Sequence, residues 1–256
     1  MEHPELEGKV ALVTGGSRGI GAGIVRHFTK LGLKVAAAAR GEAGLRQMAE
    51  ECGCLPVPLD VTDRASIDAG VALIHERLGP IAVAVNGAGI ATSAPVVKTT
   101  DADWDRVIAT NLTGPFMVAR AVIPDMVEAG WGRIINVASN AGLFGRPYIA
   151  PYTASKHGLI GLTRTLAHEV ARKGITVNAV CPGFVETDIL ADALEGIVKS
   201  TGRSEAEARR ALEDLSPQRR IYTVEEVAYL CGTLLPEAAR GINGSAISLD
   251  GGQVPH

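Results

Sequence analysis

Apolar runs of four to eight residues recur along the chain at 10–14, 34–39, 55–59, 81–86, 132–139, 175–181 and 245–249. They are rich in Val, Ile and Ala and do not alternate with polar residues, the pattern of strands buried on both faces. Longer amphipathic stretches at 19–31, 64–78, 152–172 and 224–235 lie between them and predict helices. Strands alternating with helices predict an α/β fold, a doubly wound parallel sheet of the Rossmann kind. No linker, repeat or low-complexity tract interrupts the 256 residues, so one domain over 1–256 is expected. One segment departs from the alternation. Residues 188–216 read as helical and polar on one side, yet no strand follows until Ser245. This insertion after the sixth strand falls where ligands bind in open α/β sheets, and is expected to be a substrate lid.

The first strand runs into Thr14-Gly15-Gly16-Ser17-Arg18-Gly19-Ile20-Gly21 and then a helix. Glycines there permit a tight turn and a close backbone approach to a pyrophosphate, while the helix N-terminus offers unpaired N–H groups. Gly15, Ser17, Arg18, Gly19, Ile20 and Gly21 are therefore candidate cofactor contacts. At the end of the second strand, where an NAD site carries an acid, stands Ala39, followed by Arg40. A guanidinium matches a phosphate with paired hydrogen bonds, and Arg18 adds a second positive charge. Two arginines and no carboxylate predict a 2′-phosphate, hence NADP(H). Asp60 and Val61 after the third strand are placed for the adenine, and Asn86 and Gly87 after the fourth for its ribose.

Tyr152 and Lys156 are four residues apart, so on a helix they share a face. An ammonium beside a phenol favours the phenolate, and a tyrosine pKa below its usual ~10 is expected. Such a pair can exchange a proton as a general acid–base. Tyr-x-x-x-Lys alone is common on surface helices; its context carries the argument. Ser139 ends the fifth strand thirteen residues earlier, with a hydroxyl able to donate to a carbonyl oxygen. Asn111, within a helical stretch, can turn a backbone carbonyl outward and hold a water near Lys156.

In these features the chain resembles the short-chain dehydrogenase/reductase family over nearly its whole length. The family's T-G-x-x-x-G-x-G turn is present as Thr14 to Gly21, and its Asn-Ser-Tyr-Lys tetrad falls on Asn111, Ser139, Tyr152 and Lys156. The later P-G turn is Pro182-Gly183, and the closing D-G-G is Asp250-Gly251-Gly252. The resemblance implies a ketone reductase in which Tyr152 protonates the oxygen that Ser139 orients. Lys156 would hold the nicotinamide ribose, and Asn111 would support a water relay. Pro182, Gly183, Val185 and Thr187 would meet the nicotinamide. The family usually carries N-N-A-G after strand four; here Asn86-Gly87-Ala88-Gly89 lacks the second Asn, and a looser turn is expected there.

The segments around Tyr152 and Pro182 are most similar to 3-oxoacyl reductases and polyketide ketoreductases, implying a 3-oxoacyl thioester, or alternatively a polyketide or other bulky ketone. Leu143, Phe144, Tyr148, Phe184, Ile189, Leu190 and Leu194 are pocket candidates with Ser139 and Tyr152. About half of the apolar ones suit plain core filling equally well. Arg146, Arg203, Arg209 and Arg210 can meet the phosphate of a carrier protein or coenzyme A, although Arg209 and Arg210 also suit a solvated helix paired with Glu205, Glu207 and Glu213. An NADP(H)-binding regulator without turnover is the alternative of another class; the intact tetrad argues against it. The family also implies a homotetramer packed through the Tyr152 helix, where Ala154, Gly158 and Gly161 permit close approach, and through the last strand.

Composition narrows the partners further. With 25 basic and 28 acidic residues scattered along the chain, neither a nucleic acid nor a membrane surface is expected as partner. No run of 18 or more apolar residues and no signal-peptide pattern occurs, so a cytoplasmic location is expected. Four cysteines include Cys52-Gly53-Cys54, one residue short of C-x-x-C and without further ligands nearby, so no metal site is expected.

Overall fold

The computed structural model describes residues 3–254. Seven parallel strands form one sheet in the order β3-β2-β1-β4-β5-β6-β7. They are β1 (Val10–Thr14), β2 (Lys34–Ala39), β3 (Leu55–Pro58), β4 (Ile81–Asn86), β5 (Gly132–Val137), β6 (Ile175–Pro182) and β7 (Ala246–Leu249). The connecting helices are α1 (Gly19–Lys30), α2 (Glu42–Cys52), α3 (Arg64–Arg77), α4 (Asp101–Ile108), α5 (Gly114–Ala129), α6 (Ala150–Val170), α7 (Asp188–Thr201), α8 (Glu205–Glu213) and α9 (Val224–Thr233). The doubly wound Rossmann architecture expected from the apolar runs is the one observed, with strand ends within two residues of those runs.

Both faces of the sheet are buried, as unalternating strands require. Along β1, Ala11 and Val13 enter a core with α1, α2 and α9, while Val10 and Leu12 enter another with α3, α5 and α6. The alanines of β2 let the glycine turn approach; Gly16 N–H donates to the Ala38 carbonyl at 3.1 Å. Helix ends follow local chemistry. Asp63 caps α3, capping boxes of Ser204 with Glu207 and Thr223 with Glu226 start α8 and α9, and Gly53 and Gly130 close α2 and α5 in the left-handed conformation.

Among the described residues, one helical run, Asp101–Ala129, is long and apolar enough to cross a membrane by length and composition. Polar and charged residues interspersed along it break the apolar run. Its apolar side, Val118, Ala119, Val122 and Met126, is packed in the core beside β4 and β5. The helix is interrupted by one wide π turn at Ala109–Thr113, which carries Asn111; such turns cluster at functional sites.

A buried polar chain ties the centre of the sheet to α6. Asn86 Nδ2 donates to Asn136 Oδ1 at 2.8 Å, Asn136 Nδ2 to Thr163 Oγ1 at 2.8 Å, and Thr163 Oγ1 to the Leu159 carbonyl at 2.7 Å. Asn86 thus turns its side chain into the sheet. Its Oδ1 is buried and has no hydrogen-bond partner among the described residues.

The turn after β4 is tight rather than loose. Gly87 and Ala88 N–H both donate to Thr14 Oγ1, at 3.2 and 3.3 Å. A Cβ on Gly87 would lie 2.7 Å from the Thr14 carbonyl oxygen, so the backbone would have to move. Restoring the family's asparagine therefore costs stability here. Gly87→Asn is expected to destabilise by about 1–3 kcal/mol, lowering Tm by roughly 2–4 °C per kcal/mol. An unchanged or raised Tm in calorimetry would show that the turn has room.

Candidate active site

The glycine turn and the start of α1 form one wall of a cleft at the carboxyl edge of the sheet. Gly15 holds φ +69°, and a Cβ there would sit 2.8 Å from the Ala88 nitrogen. On Gly21 a Cβ would collide with the Gly15 carbonyl. Only glycine fits either position, and the result is bare backbone facing outward. No side chain caps α1, so its first N–H groups are left for an anion. Ser17 lies under α2, 3.1 Å from where Gly44 would place a Cβ, and Ile20 packs on the core. Thr187 stands across the cleft, its methyl 3.2 Å from a Cβ built on Gly19. The residues present therefore fit a dinucleotide pyrophosphate.

The charged residues flank this cradle. Arg40 is exposed, with Nη1 3.9 Å from Asp60 Oδ2. Asp60 Oδ1 accepts from Thr62 N–H and Oγ1 at 2.9 and 2.7 Å. Burial opposes ionisation of Asp60, but these hydrogen bonds and the Arg40 charge hold its carboxyl below the usual value. Val61 packs against the backbone of Gly114. Arg18 reaches over to Asp188 at 2.9 Å, linking the glycine turn to the first residue of α7. Both side chains are exposed, so the pair contributes little to stability. On the far side, Gly183 N–H donates to the Leu249 carbonyl, and the Thr187 hydroxyl donates to the Val185 carbonyl at 3.2 Å. Pro182 ends β6, and Val185 is itself buried in the core.

Deeper in the cleft three of the four tetrad residues meet. Ser139 follows β5 in extended conformation, and its Oγ accepts from Ala141 N–H at 3.1 Å. The Ser139 side chain lies close enough to the Tyr152 phenol to favour its ionised form. Lys156, one turn further along α6, places Nζ 5.5 Å from the centroid of the Tyr152 ring and donates to the Val137 carbonyl at 2.7 Å. Asn111 stands behind them. It accepts from Ile90 N–H at 2.9 Å and donates to the Ile90 carbonyl at 2.9 Å and to Ser155 Oγ at 3.1 Å. A Cβ on Gly89 would lie 3.5 Å from Asn111 Oδ1 and 3.7 Å from Lys156 Nζ, so that glycine keeps the two in one pocket.

The electrostatics correct one expectation. Burial raises the Tyr152 pKa instead of leaving it depressed, and the Ser139 hydroxyl only partly offsets this. Lys156, whose ammonium donates to the Val137 carbonyl, is itself buried, and burial brings its pKa down to about 8. Tyr152 is consequently a protonated phenol near neutral pH, poised as an acid. A fourth group shares the site and escaped the sequence reading. Cys181, wholly buried on β6, lies beside Ser139, and burial pushes its thiol up to about 11.

The substrate-pocket candidates divide. Leu143, Phe144 and Phe184 remain partly exposed beside Ser139 and β6. Leu190 and Leu194 instead bury their side chains against Ala208, Leu212 and Ile221, filling the space between α7 and α8. Ile189 is exposed. Tyr148 is 62% exposed, so it forms rim and not wall. It adopts φ +69°, strained for a tyrosine, and its carbonyl accepts Ala94 N–H at 2.8 Å. Of the arginines, Arg209 pairs with Glu186 and Glu213, the ordinary helix-surface alternative. No group of three potential metal ligands occurs among the described residues.

Comparison with known proteins agrees with this arrangement. A profile of the short chain dehydrogenase family matches residues 9–197. A Streptomyces coelicolor protein named as a ketoacyl reductase is 41% identical over 96% of this chain and 97% of its own. A 3-oxoacyl-(acyl-carrier-protein) reductase of Pseudomonas aeruginosa is 37% identical over 96% of this chain and 98% of its own. Among solved structures, a point variant of the actinorhodin polyketide ketoreductase with NADPH superposes with a TM-score of 0.94 at 40% identity, covering 97% of this chain and 98% of that one. The chain belongs to the short-chain dehydrogenase family, and is an oxidoreductase of its ketoreductase type.

The buried lysine has a measurable consequence. Its folded pKa of about 8 lies below the unfolded value of 10.5, so between these pH values the unfolded chain binds more protons. Stability should therefore rise with pH across that window, because the cost of burying the ammonium disappears. Thermal melts from pH 8 to 10.5 should show wild type gaining stability relative to Lys156→Met. Parallel pH profiles for the two proteins would contradict this burial cost.

Proposed function

We propose that this chain is an NADPH-dependent reductase that converts the ketone of a 3-oxoacyl thioester to a secondary alcohol. The observation that carries the reading is the meeting of Ser139, Tyr152 and Lys156 at the ends of β5 and β6, opposite the uncapped start of α1. The names of the ketoacyl and 3-oxoacyl reductases support the thioester. Arg40 and Arg18, with Ala39 in place of an acid, favour a 2′-phosphate on the cofactor. NADPH, when bound, supplies the hydride.

The protein's residues do the rest. Ser139 donates a hydrogen bond to the carbonyl oxygen and orients it. Tyr152, kept protonated by burial, gives its proton to that oxygen as negative charge develops. Lys156 holds the nicotinamide ribose and, while charged, stabilises the phenolate left behind. Asn111 fixes the loop after β4 through Ile90, so that the backbone around the π turn can hold a water relay to solvent. Phe144 and Phe184 border the acyl group. The helices α7 and α8 act as the lid, with a groove of about 420 Å³ beside Thr187 and Leu190.

A bulky polyketide ketone is the second reading, favoured by the close superposition on the actinorhodin enzyme. Assembly as a homotetramer through α6 and β7 belongs to the same proposal. Gly161 leaves open space on α6, whereas Gly158 is already taken up by Leu112 of its own chain.

Tyr152→Phe should lower turnover by at least about a hundredfold while NADPH still binds by fluorescence titration. Near-wild-type oxidation of NADPH with acetoacetyl-coenzyme A would remove Tyr152 from the chemistry. Arg40→Ala should raise the KM for NADPH about tenfold or more and leave that for NADH little changed, as loss of a charged hydrogen bond requires. Equal effects on both cofactors would place the 2′-phosphate elsewhere.

A further inference from the structure

Arg146 is not used by the reduction described above, and its surroundings are unusual. It lies on the loop between Ser139 and α6, seven residues after Ser139 and six before Tyr152. Its guanidinium stands 4.8 Å from the Phe144 ring centroid and 5.1 Å from that of Phe184. These rings come from the loops after β5 and β6, so Arg146 bridges the two sides of the cleft mouth. Its Nη2 is buried and has no hydrogen-bond partner among the described residues. No described carboxylate forms an ion pair with it; Asp250, the acid whose charge it feels, accepts instead from Gly252 and Val254 N–H. A buried donor on a charged group without a partner is costly, and such groups are rare in folded chains. The aromatic faces stabilise the cation but cannot accept its in-plane N–H bonds.

We propose that Arg146 is the specificity-determining residue for an oxyanion carried by the ketone substrate, which supplies the missing acceptor at Nη2. The chemistry fits two sources: the carboxylate of a free 3-oxo acid, or a phosphate of coenzyme A or a carrier's pantetheine arm. The inference rests on the ketone-reductase reading for its substrate. The Phe144 and Phe184 rings hold the guanidinium plane in place, so the anion meets a fixed donor fork and displaces no internal ion pair.

The test combines turnover with binding, so that the two readings fail separately. Steady-state NADPH oxidation is measured with acetoacetate, acetoacetyl-coenzyme A and the uncharged acetoacetyl-N-acetylcysteamine, for wild type and Arg146→Met. The ratio of kcat/KM for the charged over the uncharged ketone should fall about tenfold to a hundredfold in the variant, as loss of a charged hydrogen bond implies. A fall for acetoacetate alone identifies the carboxylate; a fall for acetoacetyl-coenzyme A alone identifies the phosphate. A ratio unchanged for both overturns the proposal. Calorimetric titration of 3-hydroxybutyrate and of coenzyme A into the NADP-loaded protein reads the same site without chemistry. Wild type should bind one of them at least tenfold more tightly than Arg146→Met, whether or not any ketone turns over. Equal binding by both proteins, or none by wild type, overturns the proposal even if the reductase reading stands.

Discussion

The hydrogen bond from the Lys156 ammonium to the Val137 carbonyl is the contact around which the active site is arranged. It seats α6 against the end of β5, and so fixes where Tyr152 stands relative to Ser139. A buried cation demands compensation, and this one receives a single carbonyl plus the aromatic ring of Tyr152. Its pKa falls to about 8 as a result, while the phenol beside it is driven the other way. The site thereby holds an acid that is protonated and a lysine close to its titration point. Such a pair suits proton delivery to a carbonyl oxygen.

The neighbouring layers exist to keep that contact in register. Asn111 clips the backbone of Ile90 in both directions and reaches Ser155, whose own hydroxyl donates to the Tyr152 carbonyl at 2.7 Å. The loop after β4, the π turn and α6 are thus held by one side chain. The Asn86–Asn136–Thr163 chain repeats this one layer down, between β4, β5 and α6. On the cofactor side the constraint is steric: Gly15, Gly21 and Gly87 pack backbone on backbone where no Cβ fits. Polar groups position the chemistry, and glycines open the space for phosphate.

Much of this was legible in the residues. The strands stood out because parallel strands covered on both faces read as unbroken apolar runs. The tetrad was legible through order and spacing. What spacing cannot carry is dielectric environment: four residues on a helix bring Lys156 near Tyr152, but only the packed fold shows that burial outweighs their attraction. The packing of Leu190 and Leu194 was hidden for a related reason. An amphipathic lid shows an apolar side without showing whether it faces ligand or a second helix, and α8 covers it. Long-range polar contacts were equally hidden. Arg133 reads as a charge at a strand start, yet it is fully buried, donating to the Leu235, Gly132 and Gly174 carbonyls and to Glu237. The unpaired state of Arg146 likewise emerges only once Phe144 and Phe184 are brought together.

The central claim is that this cleft reduces a ketone with Tyr152 as proton donor. Following the hydride tests it most directly. NADPH deuterated at the reactive C4 position, incubated with the protein and acetoacetyl-coenzyme A, should yield 3-hydroxybutyryl-coenzyme A with one deuterium on the carbinol carbon, read by mass spectrometry. The label should be absent from the product pool when Tyr152→Phe replaces wild type. Tight NADPH binding by wild type with no labelled alcohol from this thioester, from a bicyclic ketone or from simple aryl ketones would contradict the account.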